Sequence, residues 1–262
     1  MKVKLLTHTP DPERLIATAA KLCYSSSDID DISVGLTDEK IKSFLDMLMS
    51  IGHESPLEHV TFTFAIEGIS RSCSHQLVRH RIASYSQKSQ RYVDENQFEY
   101  VTPPYIEQDV QMNALFQECM HEIQNVYEKL RNGLTAYHET VLNHKTNPVD
   151  AHKQSVKLAN EDARFVLPNA CTTSVMVTMN IRTLFNFFKH RCCNRAQWEI
   201  REMAELMYRE CVKVCPNIFK HAGPSCYVTG KCPEGKMTCG EMKSMYEKYD
   251  RLNGNDIKYD TL

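Results

Sequence analysis

The chain has 262 residues, 42% of them hydrophobic and 24% charged, enough to bury a full core as one large domain or two small ones. Lys and Arg total 31 against 33 Asp and Glu, a net charge of -2, so attachment to nucleic acid or an anionic membrane would have to rest on a local patch. The N-terminal MKVKLLTHTPDPERL holds no signal-like apolar stretch and no later window approaches the ~18 apolar residues of a membrane span, which predicts a soluble, cytoplasmic protein.

In chain order, residues 2–7 read as a short strand. A helix then starts at Pro12, with Asp11 as its cap and Ile16, Ala19, Ala20 and Cys23 on one face. Residues 24–36, rich in Ser, Asp and Gly, read as a loop, and Thr37 followed by Asp38 and Glu39 opens a second helix to about Ser50. VTFTFAIEGIS at 60–70 alternates Val60, Phe62, Phe64 and Ile66 with Thr61, Thr63 and Glu67, the period of a half-buried strand. A helix from about Ser70 leads into RHRIASYSQKSQRY at 79–92, and 107–145 carries helical periodicity. A further helix is predicted at about 150–164, a second long strand at CTTSVMVTMNI, and two more helices at about 182–192 and 196–214. The fold class is therefore α+β: two long strands plus one or more short strands, packed with five or more helices.

The predicted domain organisation is one catalytic domain, 1–216, followed by a tail, 217–262, where Gly, Pro and Cys replace periodic apolar residues. The eleven cysteines read as free thiols packed as small apolar groups rather than as a disulfide framework. In the tail, Cys226, Cys232 and Cys239, with Cys215 or His221 as a fourth ligand, give a zinc alternative. Their spacing is too open for an ordinary zinc knuckle, so no metal is expected.

The basic run 79–92 holds Arg79, His80, Arg81, Lys88 and Arg91, and the sequence has no acid between Arg71 and Asp94. A solvated helix face would carry Glu partners at spacing four. Arginine grips phosphate with paired hydrogen bonds, and serine hydroxyls supplement that grip, so an anionic phosphate ligand is the natural partner. Neither GxGxxG nor GxxxxGK[ST] occurs, which leaves the phosphate to the arginines.

Arg79-His80-Arg81, seven residues and then Ser89 reproduce the RHR-x7-S signature, and the sequence resembles the flavin-dependent thymidylate synthases, the ThyX family. HESPLEH at 53–59, QLVRHR at 76–81, ARFVLP at 163–168, NIRTLFNFFKHR at 180–191 and AQWEI at 196–200 look like further family blocks, in family order. The resemblance implies conversion of dUMP to dTMP with methylenetetrahydrofolate as carbon donor, NADPH as reductant and FAD as hydride carrier, without an enzyme cysteine as nucleophile. It also implies a homotetramer with sites at subunit interfaces. The apolar helices at 107–145 and 196–214 are the segments expected to serve such an interface.

Carried over position by position, the resemblance gives Arg191 the catalytic place on the uracil ring. It assigns dUMP to Gln76, Arg79, Gln87, Ser89, Arg91 and Arg164 together with Arg191. FAD falls to Ser55, Arg79, His80, Arg81, Asn180, Arg182 and Asn186, and His53 becomes a flavin or folate contact. Asn180, Arg182 and Asn186 also fit a physical reading, gathered where a strand ends and a helix begins; for Asn180 alone, a helix cap is the plain alternative. Gln87 stands where some members carry Glu, which keeps hydrogen bonding and loses the charge. Two rival classes remain: a nucleic-acid or nucleotide-binding module using 71–91, and a metal-binding regulatory protein using the cysteine-rich tail.

Overall fold

The computed structural model describes residues 1–26, 28–92 and 97–254. The first strand, β1, spans Lys2–His8, and α1 spans Pro12–Leu22, with proline in its first turn as expected. Asp11 does not cap it. This residue takes a left-handed backbone (φ 43°), and its carboxylate accepts from Arg14 Nε at 2.9 Å instead. Arg14, one turn on, captures the oxygen that would otherwise meet the free N–H groups.

A short helix, α2 (Ile29–Val34), interrupts the expected loop, capped by Asp28, whose side chain accepts from Asp31 N at 3.0 Å. The Ser/Asp composition that suggested a loop supplies this cap. Helix α3 (Asp38–Ser50) starts at Thr37 as predicted and buries Ile41, Leu45 and Leu48.

Both long strands form as read, β2 over Thr61–Ser70 and β4 over Thr172–Asn180. Between them come α4 (Arg71–Leu77), β3 (Ala83–Gln87), α5 (Pro104–Glu107), α6 (Val110–Leu142) and α7 (Pro148–Ala163). The sheet order is β1-β2-β4-β3. Its central pair is antiparallel: Ile181 N donates to Val60 O where β4 ends and β2 begins, and Arg71 N donates to Cys171 O at the other end. Phe62, Phe64 and Ile66 on β2 and Val175, Val177 and Met179 on β4 are buried, while the Thr63 and Thr178 hydroxyls pair across the strands at 2.9 Å.

Strand β3 lies inside the basic run and was not predicted. Its period-two signal is present: Ala83, Tyr85 and Gln87 are half-buried and Ser84 and Ser86 exposed. The density of charge around it hid that alternation.

The chain after β4 forms α8 (Ile181–Arg191), α9 (Trp198–Val214), α10 (Pro216–Phe219), α11 (Ser225–Thr229) and α12 (Met242–Leu252). The chain divides into two compact units: Met1–Ile66 with Gln76–Tyr85 and everything from Met176 onward, and Glu67–His75 with Ser86–Val175. In the first, Phe62, Phe185 and Phe188 meet Phe219 edge-on, and Tyr208 meets Tyr249 at 5.1 Å between ring centroids. Tyr249 belongs to α12, where Met245 and Tyr249, four residues apart, are buried. Residues 217–254 thus contribute to the core of that unit; 255–262 lie outside the described residues. The second unit is built on the packing of α6 against α7, with a core of Phe98, Met120 and Cys171.

All eleven cysteines are free thiols, and no helix among the described residues is long and apolar enough to cross a membrane. Burial pushes the Cys192 thiol up to about 12 and raises Cys211 and Cys215 as well, so these three are packed, unreactive groups.

Candidate functional site

Past the end of α4 the chain must turn within the RHR segment and enter β3. Ile82 makes that turn with φ 64°, a backbone state that costs a β-branched residue of order 1–3 kcal/mol. Its side chain is 81% exposed, so no packing compensates locally. The turn is held from outside. Thr183 Oγ1 on α8 donates to Ile82 O at 3.3 Å, and the Tyr85 hydroxyl meets the carbonyls of Leu77 (2.9 Å) and His80 (2.8 Å). Burial pushes the Tyr85 phenol up to about 12, so it remains a donor.

Arg81, Asn180, Arg182 and Asn186 line one cleft of about 570 Å³. Asn180 does cap α8, its Oδ1 accepting from Thr183 N at 2.8 Å. It lines the cleft as well, so the cap and site readings hold together. Arg182 is ion-paired with Glu58 and with Glu54 at 3.6 Å, and Glu58 holds it more firmly cationic. Lys189 lines the same cleft and was missed by the sequence reading. The signal was its spacing, seven residues from Arg182 and three from Asn186, which puts all three on one helical face. His53 and Ser55 hydrogen-bond to each other, Nε2 to Oγ at 3.0 Å, while His53 Nδ1 meets the Tyr24 hydroxyl at 3.3 Å.

The closest contact among the candidates joins α8 to the signature: Arg191 Nε donates to His80 Nε2 at 2.9 Å. Burial, then the charges of Arg191 and His190, pushes His80 down to about 4. Near pH 7 it is therefore neutral, with Nε2 an acceptor and the proton on Nδ1. Phe187 sits edge-on to the ring, 4.8 Å between centroids. Gln76 lies near the end of α4 and is half-buried; Arg79, beyond it, is exposed.

The remaining candidates belong to the second unit. Gln87 Nε2 donates to Ser74 Oγ (3.0 Å) and Thr173 Oγ1 (3.3 Å). Ser89 Oγ accepts from Arg91 N at 3.3 Å, heading the turn after β3. Arg91 is paired with Glu161 of α7, its Nε 2.6 Å from Oε1, and Arg164 Nε donates to the Glu161 carbonyl at 3.2 Å. Arg91, uncompensated in sequence, is thus compensated in space. Glu161 was invisible to the sequence reading because it lies 70 residues away.

Residues 4–217 match the family described as "Thymidylate synthase complementing protein". Curated proteins named "Flavin-dependent thymidylate synthase" align along almost the whole chain. That of Clostridium tetani is 54% identical over 94% of this chain and 97% of its own length. The Geobacter sulfurreducens protein is 47% identical over 95% and 99%, and that of Pyrococcus abyssi 39% over 96% and 98%. The chain belongs to the flavin-dependent thymidylate synthases.

Within that family framework, the matched region ends at Pro216–Asn217, before α11 and α12, and contains every candidate residue above. The donor set of the cleft suits a large phosphate-bearing group: guanidinium, ammonium and amide donors with Phe185 as an apolar wall. Glu54 and Glu58 would repel phosphate if they stood alone, but Arg182 pairs with both, and with Arg81 and Lys189 the cleft carries three cations against two carboxylates.

Proposed function

We propose that this chain reductively methylates dUMP to dTMP, with methylenetetrahydrofolate giving the carbon and NADPH the hydride by way of FAD. Family membership supports the reaction class. The observation that carries the residue assignment is the Arg191–His80 contact, which ties the proposed catalytic arginine to the RHR signature.

FAD, when bound, supplies hydride transfer; the chain holds and orients it. Arg81, Asn180, Arg182 and Asn186 would do so from the cleft, with Ser55, Arg79 and His80 from the flanking segments. Gln76, Arg79, Gln87, Ser89, Arg91 and Arg164 are the proposed dUMP ligands. Arg191 would lie against the uracil ring and stabilise the negative charge that develops as carbon 5 becomes nucleophilic. A neutral imidazole is the right anchor for that task, because it fixes the guanidinium without cancelling its charge. His53 would meet flavin or folate; in its present contacts it is held between two hydroxyls.

The assembly we propose is a homotetramer in the cytoplasm, with sites at subunit interfaces. Met112, Leu115, Val126, Leu130, Tyr137 and Val141 are all exposed on α6. At about 100° per residue they fall within about 80° of one another, an apolar stripe along the helix. Helix α9, the other segment expected at an interface, buries Ile200, Met203, Ala204 and Met207 inside its own unit. A nucleic-acid module has less support, since the chain carries a net charge of -2 and its relatives are named as thymidylate synthases.

The deciding assay is tritium release from carbon-5-labelled dUMP by FAD-loaded protein given methylenetetrahydrofolate and NADPH. Release that requires all four components is expected. None from flavin-loaded, folded protein would remove the assignment.

A further inference from the structure

Four cysteines with no place in the reaction face one cavity of about 670 Å³: Cys193 beyond α8, Cys226 in α11, and Cys232 and Cys239 in the segment that follows. The chain gathers them from three separate stretches. Cys226 is buried, which raises its thiol, and Cys193, Cys232 and Cys239 are each near enough to raise it further. Neither fourth ligand suggested by the sequence takes part. Cys215 is buried beside Glu13, and His221 Nε2 lies 3.2 Å from Asp46 Oδ1.

The segment 230–241 has no core of its own. Every residue in it except Cys232 is exposed, and its regular structure is one turn at Gly235–Met237. It buries almost no apolar surface, so the hydrophobic effect gives it little reason to keep one shape. Yet Gly230, Gly235 and Gly240 hold left-handed backbone (φ 69°, 52° and 78°), bends that return Cys232 and Cys239 to the same cavity. Arg195 Nη1 donates to Met237 O at 2.9 Å and fastens the outer bend to the body.

We propose that Cys193, Cys226, Cys232 and Cys239 form a tetrathiolate site for Zn²⁺ that ties residues 230–241 to the end of α8. Four sulfur ligands in a closed site suit zinc. Binding releases four thiol protons and leaves a centre of formal charge −2, which Lys189 and Arg195 around the same cavity offset. Among the described residues no three His, Cys, Asp or Glu groups already stand as an assembled ligand set. Thiol rotation and closure of the exposed segment therefore accompany binding, as in other sites that fold around their metal. The site departs from the expectation of unligated thiols. It lies two residues past Arg191, so it would also fix the end of the helix that carries the proposed catalytic arginine.

The test is metal analysis of the full-length chain purified without chelator from zinc-supplemented cells. About one zinc per chain is expected. Cys232→Ser and Cys239→Ser should each lower it at least tenfold, while Cys119→Ser, an exposed cysteine elsewhere, should leave it unchanged. Replacement by Co²⁺ should give the ligand-field bands of a tetrahedral tetrathiolate. Should both serine variants fail to fold, wild-type protein stripped by chelator and offered Zn²⁺ alone must rebind it. Metal-free protein with these thiols reactive or paired in disulfides, zinc retained by both variants, no rebinding after stripping, or iron with labile sulfide in place of zinc would each overturn the site. None of these readouts depends on turnover, so they separate from the fate of the thymidylate synthase reading.

Discussion

Two arginines named by the same family pattern are held in opposite ways. Arg91, after β3, has a carboxylate partner in Glu161; Arg191, at the end of α8, has a neutral imidazole partner in His80. The first pair is nearly charge-neutral and must open or share itself with an anionic ligand. The contact with His80 fixes the direction of Arg191 and itself takes nothing from the guanidinium charge. The contrast separates an arginine suited to grip phosphate from one suited to stabilise charge that appears only during reaction.

The largest expected effect is that of Arg191→Ala: turnover should fall by about 10²–10³-fold, the loss seen when one donor to a developing negative charge is removed. Circular dichroism should remain that of the wild type; an active variant would refute the role. Next is Arg91→Ala, which should weaken dUMP by about 10–100-fold, the worth of a charge-assisted hydrogen bond. Because the Arg91–Glu161 pair is partly exposed, its melting temperature should barely move. Calorimetric titration of dUMP, set beside the melt, separates binding from folding.

A third test uses acid. With its folded pKa pushed to about 4 from 6.5, His80 binds fewer protons in the folded than in the unfolded state across that interval. Its contribution to stability is therefore present above about pH 6.5 and lost as pH falls toward 4. Protonation would also put a second cation against Arg191, beside His190. His80→Asn should flatten this acid limb of the stability profile, measured by urea melts from pH 4 to 7; an unchanged slope would assign it elsewhere. The smallest effect expected is at Ile82. Ile82→Gly should be more stable than Ile82→Ala by about 1 kcal/mol, the reverse of the usual order, because only glycine takes φ 64° without strain. Thermal melts of the two variants decide it.

Periodicity made β2 and α6 readable, Phe62, Phe64 and Ile66 repeating at the interval the strand needs, and the β-branched content of β4 marked it as a strand, where Val175, Val177 and Met179 are buried. Helix α12 carries Met242, Met245, Tyr246, Tyr249 and Leu252 at helical spacing, but it follows the Gly-, Pro- and Cys-rich stretch and reads with it as tail. Partners were the least readable. Glu161 for Arg91, Glu58 for Arg182 and His80 for Arg191 are 70, 124 and 111 residues away. The family pattern named the candidate cations; only the fold decides whether each stands beside an anion or a neutral base.

Gln87 has a consequence in the direction of its protons. Ser74 is buried, and its hydroxyl proton is already given to Arg71 O at 3.0 Å, so its oxygen can serve Gln87 only by accepting. A glutamate at 87 would bring acceptors to a hydroxyl with no proton to spare and would pull that proton away from the Arg71 carbonyl. In this chain, proton polarity along Gln87, Ser74 and Arg71 runs one way and requires a donor at its head.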